Sequence, residues 1–117
     1  MRGFTLLELL VVMTIVGILS GLAIPQFRDY RARAFDTRAL NDLRVIALAE
    51  ETYYLDSEHY LSCANSDCLV LPGVARLSGG VEVQVEGDDV RFEAASSHPK
   101  GTGKEYIWES DNGGLVE

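Results

Sequence analysis

Between Arg2 and Arg28 the chain carries one charged side chain, Glu8, at the front of an uncharged run from Leu9 to Ile24. A carboxylate at the edge of such a run is costly in lipid unless it is protonated or meets a cation at a similar depth. Glu8 is therefore the first candidate for a functional group. The second is the pair Cys63 and Cys68 in "CANSDC". Close spacing behind an export-type segment reads as a disulfide formed outside the cytoplasm, with two reduced thiols as the alternative. His59 lies near the pair, but no convincing fourth ligand stands at metal-site spacing, so no metal is expected.

Other chemistries fail on spacing. In "GTGK" the first glycine of a phosphate loop falls at His98, and Glu105 stands where a Ser or Thr should bind the metal. His59 and His98 have no nucleophile or second acid beside them and are read as solvent-facing loop residues. The acidic "EGDD" lacks the ligand spacing of a known calcium loop and reads as a solvated hairpin tip. No catalytic constellation remains, and no enzyme activity or cofactor is expected.

Charge is uneven along the chain. Residues 1–25 are neutral, 26–46 carry five Arg and three Asp (net +2), and 47–117 carry four basic and fourteen acidic groups (net −10). The acidic part argues against binding of nucleic acid, whose affinity rests largely on Lys and Arg at phosphates. At 117 residues the chain holds at most one small domain beyond its apolar leader.

The elements follow from periodicity. Phe4 to Ile24 is 21 residues, close to the ~20 that span hydrocarbon as a helix. It is longer than a secretory signal's apolar core and is not followed by a small-x-small cleavage site, so it is expected to stay in the mature chain. Gly17 and Gly21 have the small-xxx-small spacing that lets helices approach in lipid. Pro25 removes a backbone donor, which predicts a helix kinked or loosened between Gly17 and Pro25.

Residues 26–56 continue as an amphipathic helix, with apolar residues at helical spacing (Ala39, Leu43 and Ala47; Leu40, Ile46 and Tyr54) that could supply one core face, and Asp29–Arg33 and Arg38–Asp42 at i,i+4. A loop with both cysteines follows from Ser57. Val81, Val83 and Val85, then Val90, Phe92 and Ala94, alternate about a Gly-Asp-Asp turn, and "EYIWES" supplies a third strand with Leu115 and Val116 as a short edge. The expected class is α+β: a long N-terminal helix packed on a small antiparallel sheet of three to four strands.

"RGFTLLELLVVMTIVGILSGLAIPQF" resembles the N-terminus of type IV pilins and pseudopilins. The resemblance is strong over the first 30 residues, and the helix-plus-sheet reading agrees over the rest. It implies a leader of residues 1–3, cleavage by a prepilin peptidase between Gly3 and Phe4, and N-methylation of Phe4. It implies a filament-core helix over 4–25, partly unwound near Gly17, Gly21 and Pro25 in the filament, and self-assembly by inner-membrane pilus machinery. The product would be an extracellular pilus serving adhesion, motility or related surface functions. The Phe4 amine of a neighbouring subunit would then supply the cation that Glu8 needs. Arg28, Arg31 and Arg38 would face acids of neighbouring domains. The aromatics Phe4, Phe27, Tyr30, Phe35, Tyr53, Tyr54 and Tyr60 are read as packing groups rather than a conducting path. A type II secretion pseudopilin is the alternative, and a membrane-anchored enzyme or binding module is the reading from another class.

Overall fold

The computed structural model describes residues 3–116; Met1 and Arg2 of the expected leader, and Glu117, lie outside the described residues. The chain divides into two compact units, Met1–Arg31 and Ala32–Glu117. One helix, α1, runs Leu6–Ser57 and contributes to both.

In the first unit the apolar side chains of α1 are exposed all round, from Leu6 to Ile24. The segment is long and apolar enough to cross a membrane. Gly17, Gly21 and Pro25, where loosening is expected, lie within unbroken helix. Pro25 deletes a single i→i−4 hydrogen bond, and the flanking turns hold the helical path in the single chain.

The second unit builds its core from one face of α1. Ala39, Leu43, Ile46, Ala47 and Ala49 are buried, at helical spacing, against Val81, Val83, Val85, Phe92 and Ala94. The helix closes with Glu58 in the left-handed region at φ 58°, its N–H bonded to the Tyr54 carbonyl at 2.8 Å. Asp42, expected to pair with Arg38, instead accepts from the Ser78 backbone N–H (2.7 Å) and hydroxyl (3.0 Å). Arg38 lies over the Phe35 ring at 5.2 Å.

The sheet has five strands rather than three to four: β1 (Cys63–Ala64), β2 (Glu82–Gly87), β3 (Phe92–Ser97), β4 (Tyr106–Glu109) and β5 (Gly114–Val116). They lie in chain order, each antiparallel to its neighbour. The additional strand is β1, whose two residues carry no alternation. It pairs because β2 offers an edge, with Cys63 opposite Val85. Val90 is a second departure, being 81% exposed in the β2–β3 turn rather than on the inward face. Asp88 there accepts the Val90 and Arg91 backbone N–H groups at 2.7 and 2.8 Å. Those donors hold its carboxyl below the usual range, so this acid of "EGDD" serves as a turn cap.

Cys63 and Cys68 form a disulfide with Cα atoms 5.2 Å apart, joining β1 to the short 3₁₀ turn Asn65–Val70. Replacing both cysteines by serine should lower unfolding free energy by about 2 kcal/mol, as expected for so short a loop. Denaturant unfolding of the variant against the parent chain checks this.

Candidate functional site

Glu8 lies at the start of α1, and the local sequence decides how. Thr5 precedes the first helical residue, and Glu8 follows three residues later. The Glu8 backbone N–H donates to Thr5 Oγ1 at 3.2 Å, and the Thr5 backbone N–H donates to Glu8 Oε2 at 3.0 Å. The Thr5 hydroxyl adds a bond to the same oxygen at 3.3 Å. This is a reciprocal capping box, which satisfies two otherwise orphaned donors and places a negative group at the positive end of the helix dipole. "TLLE" is its sequence signature, so Thr5 is a site residue that four consecutive positions of the sequence mark.

All three bonds fall on Oε2 or on Thr5, and Glu8 Oε1 takes none of them. Around the carboxylate, Phe4, Leu7, Leu9, Val11 and Val12 line an open groove with Glu8. Phe4 is 92% exposed. Among the described residues the site therefore presents a pre-positioned carboxylate with a spare oxygen beside exposed apolar side chains.

Three glycines here meet no demand from the chain itself. A Cβ built at Gly3, Gly17 or Gly21 would meet nothing within 4 Å. Arg28 and Arg31 line a second open groove in this unit, while Arg38 belongs to the other unit and is engaged with Phe35.

Among the described residues of the second unit, four polar side chains are buried, none of them singled out as buried by sequence pattern: Asp36, Glu50, Ser96 and His98. Asp36 accepts the Thr102 backbone N–H at 3.1 Å and its hydroxyl at 2.5 Å, pinning the "GTGK" loop to α1. His98 corrects the expectation of a solvent-facing residue. Its ring stacks on Phe35 with centroids 4.4 Å apart, Nε2 meets the Gly79 carbonyl at 3.0 Å, and Nδ1 accepts the Lys100 N–H at 3.0 Å. That pattern assigns the neutral tautomer with the proton on Nε2. His59 is exposed, as expected.

Glu50 is fully buried. Oε2 accepts the Leu61 N–H at 2.9 Å, and Oε1 has no partner among the described residues. Burial raises its pKa to about 7, with Glu51 adding to the rise and the Leu61 N–H and His59 opposing it. Tyr60, stacked on Tyr54 and tilted against Phe92, donates its hydroxyl to Glu51 at 3.2 Å. Tyr53, Tyr54 and Tyr60 thus pack at the helix end, whereas Phe4, Phe27 and Tyr30 are exposed.

A capped glutamate heads an exposed apolar helix, and an α-on-sheet unit with an antiparallel meander follows in the chain. Comparison with known proteins finds similarity over the N-terminal half. The family model of the prokaryotic N-terminal methylation motif matches residues 1–24. A fimbrial protein of Pseudomonas aeruginosa is 43% identical over 63 residues, which are 54% of this chain and 41% of that protein. The type IV major pilin protein PilA of Myxococcus xanthus is 38% identical over 64 residues, 55% of this chain and 29% of that one. The type II secretion system core protein G of Escherichia coli is 39% identical over 59 residues, 50% and 41% of the respective chains. The matched segment spans well under half the length of these relatives.

Proposed function

We propose that the chain is the structural subunit of an extracellular type IV pilus, stored in the inner membrane and drawn from it into a helical homopolymer. The observation that carries this reading is Glu8: a carboxylate held by Thr5, its other oxygen taking none of those bonds, at the head of a segment whose apolar side chains from Leu6 to Ile24 are exposed. In lipid the apolar surface is satisfied, and in a filament it would be satisfied by other copies of the same helix. Cleavage between Gly3 and Phe4 by a prepilin peptidase would create the amine that Glu8 of an adjacent subunit receives. N-methylation of Phe4 is part of the same reading. The open surroundings of Gly3 support it, because the folded chain gives no steric reason for glycine there.

Gly17 and Gly21 would serve close approach between helices, and Pro25 would be the weak point at which the helix loosens on assembly. Arg28, Arg31 and Arg38 would pair with acids of neighbouring subunits. Reversing the charge of Arg31 and Arg38 should make filaments dissociate at lower salt than the parent, measured by sedimentation across a salt series; an unchanged profile would exclude the pairing. The subunit's role is structural rather than catalytic, and its partners are itself, the peptidase, the membrane and the inner-membrane assembly machinery.

Electron microscopy of sheared surface filaments, with mass spectrometry of the subunit N-terminus, tests the whole reading. Long filaments whose subunits begin at a methylated Phe4 are the expected result. A pseudopilin of a type II secretion system is the second reading, supported by the similarity to core protein G. It would leave the cell surface bare while the processed subunit stays in the envelope.

A further inference from the structure

The far end of the first unit carries residues whose chemistry the filament reading leaves unused in the membrane state. Phe27 and Tyr30 are 64% and 78% exposed, and they alternate with Arg28 and Arg31 along α1. Neither arginine forms an ion pair among the described residues, and the acid between them, Asp29, already has a partner. Both arginines line one open groove of about 480 Å³ with Ala23, Ile24 and Phe27. Along the helix axis the apolar lining comes first and the guanidinium-bearing residues last.

Length places this groove. From Glu8 to Phe27 the helix rises by about 28 Å, which matches a hydrocarbon core of about 30 Å. With Glu8 at one interface, Phe27 to Arg31 fall at the other. We propose that Phe27, Arg28, Tyr30 and Arg31 form a collar that binds anionic phospholipids on the membrane face opposite Glu8, acyl chain against Ala23, Ile24 and Phe27 and phosphate on the two guanidiniums. This rests on the membrane-stored state of the reading above.

The chemistry is complementary at each level. Aromatic rings favour the headgroup region, where one side is apolar and the other wet. Guanidinium groups hold phosphate oxygens through paired hydrogen bonds, which an ammonium cannot reproduce. The collar also offsets a repulsion, because residues 47–117 carry a net charge of −10 and would be pushed away from an anionic surface. On assembly the same arginines would exchange lipid phosphates for acids of neighbouring subunits.

The test uses the full chain, unassembled, in phosphatidylcholine vesicles with a trace of spin-labelled phosphatidylglycerol or spin-labelled phosphatidylcholine. The parent chain should enrich phosphatidylglycerol in its boundary layer by about fivefold or more at low salt, and much less at high salt. Arg28→Gln with Arg31→Gln should abolish the preference, and the double lysine variant should restore part of it. All of these are exposed surface changes, so helix content by circular dichroism should be unaltered. Equal partition of the two lipids in the parent chain overturns the proposal. So does a preference that survives the double glutamine change, which would leave the arginines to subunit pairing alone. Filament formation is not read in this experiment. Absence of filaments from the parent chain would overturn the pilus reading separately.

Discussion

Replacing Glu8 with alanine should leave the chain inserted in the membrane and cut after Gly3, yet abolish filaments. Two contributions are lost together. One is the capping box, worth about 1 kcal/mol to the first helical turn. The other is the proposed contact with the Phe4 amine of an adjacent subunit. Leaving one member of a desolvated charge pair unpartnered costs about 2–5 kcal/mol, and the loss recurs at every subunit added.

Glu8→Gln separates the two. Glutamine can still accept the Thr5 N–H and keep the cap, but it carries no charge, so that variant should also fail to assemble. Electron microscopy and immunoblotting of sheared surface material read assembly, and mass spectrometry of the N-terminus reads processing. Normal filaments from the glutamine variant would reduce Glu8 to a helix cap and remove the charge-pairing account.

Glu50→Gln should remove most of a pH dependence from the stability of the second unit. Burial raises the Glu50 pKa from 4.5 to about 7, so the native state holds this proton over a range where the unfolded chain has released it. The sign follows. Below about pH 4.5 the carboxyl is neutral in both states and contributes no pH dependence. As pH rises through the interval from 4.5 to 7, native stability falls, and above 7 the buried carboxylate has cost the fold about 3 kcal/mol. The only described donor to it is the Leu61 N–H.

Glutamine keeps an acceptor for Leu61 and cannot ionise. The difference in unfolding free energy between variant and parent should therefore be small near pH 4.5 and favour the variant by about 3 kcal/mol at pH 8. Denaturant unfolding followed through Trp108 fluorescence across that range checks it. A difference that does not change with pH would mean that Glu50 stays ionised in the native core.

Much of the fold was legible because periodicity is a local property. Ala39, Leu43, Ile46 and Ala47 fall at helical spacing and are buried, while Leu40 and Tyr54 of the same pattern are half-buried. Val81, Val83 and Val85 alternate, and they face the core. β1 was not legible, since two residues of a loop cannot show a period; it exists because Cys63 lies opposite Val85 on a strand edge. Val90 departs from the expected inward face because alternation ends at a turn that Asp88 closes through its side chain. The capping box, by contrast, lies entirely within four consecutive residues.

The chain by itself thus determined the uncharged run with its single carboxylate, the glycines and proline within it, the helix that continues beyond, and the change from helical to alternating pattern. Each depends on neighbours within a few positions. Only the tertiary structure decided which polar groups leave water. Asp36 meets Thr102, Glu50 meets Leu61, and His98 meets both Phe35 and Gly79, partners from 11 to 66 residues away. The physical reason is that burial and hydrogen bonding of a side chain depend on what packs against it. Residues as charged as Asp36 and Glu50 become core groups only when distant segments close over them.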